Sequence, residues 1–152
     1  MAATTFKRTI EQFKLYIMEN VVIKAARTDE GYCCTCDLMP GWVVAYTGDL
    51  DGFKQYVQES VDFWLDGRRE DGDAYPEVFD GDYQLVYDFD VATLLDYYRG
   101  IFSFAALQEI TGINQKQLSH YASGISKPRP KQTEKIKSGL RRLAKDIEMV
   151  TV

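Results

Sequence analysis

The hydrophobic pattern of this chain changes near residue 90. Before that point, short apolar runs bounded by turn formers predict strands; after it, apolar positions recur at helical spacing. Val21 to Arg27 reads as a strand, Asp29-Glu30-Gly31 as a hairpin turn, and Tyr32 to Asp37 as a second strand with Tyr32, Cys34 and Cys36 on one face. Met39-Pro40-Gly41 breaks the chain before a third strand, Trp42 to Thr47. Asp49 is the expected N-cap of a helix whose apolar stripe is Phe53, Tyr56, Val57, Ser60, Val61 and Trp64, and Gly67 is its expected end. Residues 66–82 are acidic and rich in turn formers and read as an exposed connection; Tyr83 to Asp88 is a fourth, alternating strand. The order β-β-β-α-β predicts an α+β module, a small sheet with one helix packed on a face.

The second half reads as all helix. Asp90 is placed to cap a helix with Val91, Leu94, Leu95 and Tyr98 inward and Gly100 near its end. A last helix from about Gln132 carries Ile136, Leu140, Leu143 and Ile147 on one stripe and Lys135, Lys137, Arg141, Arg142 and Lys145 on the others. Between them, residues 104–129, FAALQEITGINQKQLSHYASGISKPR, predict two short helices joined by a tight turn. Leu107 and Ile110 face inward on the first, and Gly112 stops it where a left-handed residue is required. Ile113 is expected to be buried in the turn. Asn114 is a good N-cap for the second helix, and Gln117 is spaced to complete a capping box. Leu118, Tyr121 and Ala122 then face inward, and Gly124 ends the helix.

This is the pattern of a helix-turn-helix, in which the second helix enters the DNA major groove. Its expected DNA-facing residues are Asn114, Gln115, Lys116, Ser119, His120 and Ser123, followed by Lys127, Arg129 and Lys131 in the next loop. Gln, Lys and Ser suit base edges and phosphates. The segment resembles the Xre/Cro repressor type of DNA-binding domain, a likeness carried by Leu107, Gly112, Ile113, Leu118, Ser119, Tyr121, Gly124 and Pro128. It departs from that type at Gln108, where a small residue usually sits because the two helices touch.

Charge sharpens the division. The formal net charge of the chain is −5, but residues 91–152 carry ten Lys/Arg against five Asp/Glu, while residues 1–90 carry eight against eighteen. A basic half suits DNA, and an acidic half repels phosphates and attracts basic proteins. The expected partner-binding residues are Glu70, Asp71 and Asp73. The three cysteines, Cys33, Cys34 and Cys36, lie together, and the only histidine, His120, is far away; they read as small strand residues, with no metal site and no cofactor implied. No apolar run approaches the ~18 residues of a membrane span, and Thr4 to Asn20 mixes charged with apolar residues, so a cytoplasmic protein is expected.

The first half resembles the HicB antitoxins. The likeness rests on Asp29, Gly31, Tyr32, Asp37, Pro40, Gly41, Gly48 and Asp49, and the order of parts matches over residues 20–147. The resemblance implies a partial RNase H-like module followed by an all-α helix-turn-helix domain. It implies two partners, a small basic RNA-cleaving toxin of the HicA type and operator DNA, bound by a homodimer or dimer of dimers. The expected organisation is an N-terminal extension over 1–17, a toxin-binding module over 18–89 and a DNA-binding domain over 90–148. Within the extension, Phe6, Ile10, Phe13 and Ile17 have helical spacing, which fits an amphipathic helix or a tail outside the fold. Two other functions compete: a stand-alone transcriptional regulator and a degenerate RNase H-like nuclease. Two-metal nuclease chemistry requires carboxylates converging on one pair of ions. The first strand supplies none, and Asp29, Glu30 and Asp37 sit at turns and a strand end, so no catalytic residue is expected and the chain reads as a non-enzyme.

Overall fold

Side-chain alternation builds the first sheet. In β1 (Glu19–Arg27), Val21, Ile23 and Ala25 are buried while Val22 and Lys24 face outward. The computed structural model describes residues 18–150, so the helical spacing at Phe6 to Ile17 lies outside the described residues. The described chain is mixed α/β, a four-stranded sheet followed by helices, and it divides into two compact units between Asp88 and Phe89.

In the first unit β1 pairs antiparallel with β2 (Gly31–Thr35), and β2 pairs antiparallel with β3 (Val43–Thr47). The turn between β1 and β2 is held by Thr28, whose N–H donates to the Gly31 carbonyl (2.8 Å) while its hydroxyl accepts from the Gly31 N–H (3.1 Å). The fourth strand, β4 (Tyr83–Phe89), lies on the far side of β1, giving the order β3-β2-β1-β4. The Glu19 N–H donates to the Asp82 carbonyl and the Gln84 amide to the Asn20 side chain, so both strands start at the same end of the sheet.

A long helix, α1 (Leu50–Asp71), starts where Asp49 accepts a hydrogen bond from the Gly52 N–H at 2.8 Å. Phe53, Val57, Val61 and Leu65 are buried at strict four-residue spacing. Phe53 meets the rings of Tyr32, Tyr46 and Tyr87 at centroid distances of 5.1, 6.4 and 6.0 Å, and the Trp42 indole donates to the Ser60 hydroxyl. Met39, expected only as part of a chain break, is fully buried.

Three expectations for this half are corrected. Gly67 does not end α1; it stays helical, and the stop is Gly72, whose φ of 71° lets its N–H return to the carbonyls of Arg68 and Arg69. Residues 66–82 are therefore not a loose connection. The first six are the last turns of α1, and Glu77–Asp80 form a 3-10 turn that buries Phe79 against Trp64 and Tyr83. Tyr56, assigned to the inner stripe, is 46% exposed, because the helix face that meets the sheet is narrower than the apolar run.

The second unit is made of four helices, α2 (Val91–Tyr98), α3 (Phe104–Thr111), α4 (Gln115–Ala122) and α5 (Pro130–Glu148). Asp90 caps α2 through the Thr93 N–H, and Ser103 caps α3 through the Ala106 N–H. Val91, Leu95, Leu107, Ile113, Leu118, Tyr121 and Ile136 form one buried core. The α5 stripe is shorter than expected. Ile136 and Gly139 are buried and Leu140 and Leu143 half-buried, but Ile147 is 59% exposed. The reason is length: nineteen residues of α5 span about 28 Å, and the eight of α3 only about 12 Å, so the end of α5 overhangs its neighbour.

Candidate functional site

The turn between α3 and α4 is built from Thr111, Ile113 and one glycine. Gly112 takes φ 71° and its N–H returns to the Gln108 carbonyl at 2.8 Å. Thr111, buried, donates its hydroxyl to the Leu107 carbonyl (2.7 Å) and accepts from the Ile113 N–H (3.2 Å). That bond holds Ile113 in the core, where it is 6% exposed. Thr111 had no role in the sequence pattern; a threonine at a helix end before glycine is a weak signal until its hydroxyl is seen to use both of its functions.

The start of α4 is capped twice. Asn114 accepts from the Lys116 N–H at 2.9 Å, as its position suggests. The second acceptor is Gln108 of α3, whose Oε1 receives the Gln115 N–H at 2.9 Å. The expected capping box with Gln117 does not form. Gln117 points the other way, and its amide donates to the Ser126 hydroxyl at 3.1 Å. Together with the Ser126 N–H to His120 carbonyl bond, this ties the following loop back onto α4.

These contacts fix what α4 presents. Asn114, Gln115, Lys116 and Ser123 are exposed, and Ser119 and His120 are half-buried. Ser123 is more restricted than expected: its hydroxyl donates to the carbonyls of Ser119 and His120, so it reaches a ligand as an acceptor only. Lys127, Arg129 and Lys131 are exposed on the tied loop and the start of α5. Among the described residues no ion pair holds Lys116, Lys127 or Arg129, and α4 has no acidic residue in its first turn. The surface is positive and unscreened by its own chain, which favours a polyanion. Arg142, on α5, is occupied elsewhere: its guanidinium donates to the Ile110 carbonyl at 2.9 Å and so closes the C-terminal end of α3.

In the first unit the acidic residues lie on ordered backbone. Glu70 and Asp71 are exposed in the last turn of α1, and Asp73 follows the Gly72 cap and pairs with Arg68 at 3.5 Å. That pair is open to water and contributes little to stability. Among the described residues no group of three or more His, Cys, Asp or Glu is gathered as a metal site would require. The cysteines are free: Cys34 and Cys36 are buried and Cys33 half-buried. Burial pushes the Cys34 thiol from 9.0 up to about 12. No helix of the described residues is long and apolar enough to cross a membrane.

The chain matches no protein-family model, no curated protein and no solved structure.

Proposed function

We propose that the chain is an antitoxin and autorepressor of the HicB kind: the second unit binds operator DNA as a helix-turn-helix, and the first neutralises a small basic RNA-cleaving toxin. The observation that carries the DNA half is the doubly capped start of α4, which holds Gln115 and Lys116 exposed beside a tied loop bearing Lys127 and Arg129. Lys116, Lys127 and Arg129 then meet phosphates, and Gln115 is placed for a base edge. An eight-residue helix reads only a few base pairs, so the active species is a homodimer or dimer of dimers on an inverted repeat.

Support for the other half is less direct. Its sheet order β3-β2-β1-β4 with one helix in the β3-to-β4 crossover is compatible with a partial RNase H-like module. Its excess of carboxylates suits a basic protein. Binding rather than cleavage is the role proposed for it.

The test pairs two measurements. Fluorescence anisotropy with the chain's own promoter DNA should give salt-sensitive, sequence-selective binding. If the neighbouring gene encodes a small basic protein, co-expression with it should rescue growth and suppress RNA cleavage. Promoter binding without any basic partner would favour a stand-alone regulator, and metal-dependent RNA cleavage by the purified chain would favour the nuclease.

A further inference from the structure

The outer face of α1 holds an aromatic side chain that the fold does not use. Phe63 is 82% exposed, although the helix buries four other apolar residues completely or nearly so. At helical spacing its neighbours on that face are Glu59 four residues before, Asp66 three after and Glu70 seven after, all exposed, with Tyr56 seven before at 46% exposure. Gly67, four residues on along the same face, carries no side chain, and a Cβ there would meet nothing within 4 Å. The result is an exposed ring, bare backbone one turn further on, and carboxylates on both sides.

Each cation of the same helix lies over another ring. Lys54 sits over the Tyr87 ring at 5.7 Å, Arg68 over Trp64 at 5.0 Å and Arg69 over Tyr75 at 5.4 Å. Arg69 also donates to the Phe79 carbonyl, and Arg68 pairs with Asp73. Arg69 reaches Asp66 only at 3.7 Å, leaving that carboxylate 71% exposed. Glu59 and Asp62 receive amide N–H groups from Gln55 and Gln58, which are neutral and leave their charge intact. So every basic side chain of α1 covers a ring on its own unit, while Phe63 has no cation over it among the described residues.

We infer that this face, Tyr56, Glu59, Phe63, Asp66, Gly67 and Glu70, is the docking surface for the basic partner, and that it takes an arginine of that partner stacked on Phe63. This rests on the antitoxin reading above and names its contact. An exposed phenylalanine gives a guanidinium a flat face to stack on, and flanking carboxylates accept its fork of donors; a lysine ammonium can sit over a ring but has neither the flat group nor the fork. The carboxylates also match a basic surface in charge, which steers encounter and fixes register. Of the acidic residues picked out by sequence, Glu70 lies at one end of this face, whereas Asp73 follows the helix and is engaged by Arg68.

The full-length chain is tested against the product of the neighbouring gene, by calorimetric titration of wild type, Phe63→Ala and Gly67→Lys, with Lys116→Ala as a control; a neighbouring gene that encodes no small basic protein overturns the antitoxin reading and this inference with it. Phe63 is exposed, so Phe63→Ala should leave the melting temperature in place. Gly67→Lys puts a positive charge on this face and should raise the melting temperature, because glycine is a poor helix former. Both variants should weaken partner binding by about tenfold or more, the scale of an interface anchor, and leave promoter binding unchanged. Lys116→Ala should do the reverse. If wild type binds the basic protein and both variants bind it within about twofold, the docking face is wrong while the antitoxin reading stands. If wild type does not bind it, the reading falls and the inference with it. Loss of self-association in Phe63→Ala, with partner binding intact, would assign the face to a second copy of the chain instead.

Discussion

The Gln108 side chain accepts the Gln115 backbone N–H at 2.9 Å, joining the body of α3 to the first turn of α4 across the turn between them. In the repressor-type pattern this position is usually small, because the helices approach there. Here a longer side chain satisfies one of the four amide groups that a helix start leaves unpaired. It also fixes the angle at which α4 leaves the turn. Gln108→Ala should destabilise the second unit by about 0.5–2 kcal/mol, the usual cost of losing a cap. Urea denaturation followed by circular dichroism reads this. An unchanged midpoint would mean that water replaces the bond at no cost.

DNA binding should depend on the exposed start of α4. Lys116→Ala should weaken binding on all sequences and lower its salt dependence by about one ion, while Gln115→Ala should relax base preference by about 1–3 kcal/mol. Anisotropy titrations at several salt concentrations, on the promoter and on a scrambled duplex, separate the two effects. A Gln115/Lys116 double alanine variant with wild-type affinity would remove α4 from the interface.

Gly139 marks the closest approach of α5 to α3. A Cβ there would stand 2.5 Å from the Ile110 carbonyl oxygen and 3.0 Å from the Thr111 Cα, both backbone. Neither can turn aside, so Gly139→Ala should destabilise the second unit by about 1–3 kcal/mol despite alanine's better helix propensity. Gly67→Ala, in open space, should instead stabilise the first unit by about 0.5–1 kcal/mol. Thermal melts of the two variants should move in opposite directions.

The cysteines should differ sharply in reactivity. Cys34 is buried and its thiol is held at about 12, so it stays protonated and inert near pH 8. Cys33, half-buried, should be the first labelled by a thiol reagent in the native protein, as peptide mass spectrometry would show. The same shift has a consequence for stability. The folded thiol is raised above its ordinary value of 9.0, so its neutral form is favoured by folding. That contribution is complete below pH 9 and is lost as pH rises towards 12. Tyr87, raised from 10.0 to about 12 chiefly by burial, acts in the same direction. Wild type should therefore lose stability between about pH 9 and 12, and Cys34→Ala should show a smaller loss over that range.

Local chemistry was enough to place most elements. Alternation at Val21, Ile23 and Ala25, caps at Asp49, Asp90 and Asn114, and the left-handed stop at Gly112 are decided within a few residues, and the structure has them where the sequence puts them. The burial of Ile113 and Leu118 was legible for the same reason. What required tertiary structure was any choice between competing partners. Gly67 and Gly72 are both acceptable helix stops; α1 runs on to Asp71, where Arg69 in its last turn donates to the Phe79 carbonyl and Phe79 packs on Trp64. Gln117 has the spacing of a capping box, but Ser126 offers its amide an acceptor from a loop nine residues away. Gln108, Gly139 and Arg142 act across helix pairs, through bonds or close approach to residues on another helix, which helical periodicity within one segment does not reveal. Phe63 lies off the four-residue spacing of Phe53, Val57, Val61 and Leu65, and it is left 82% exposed on the opposite side of α1.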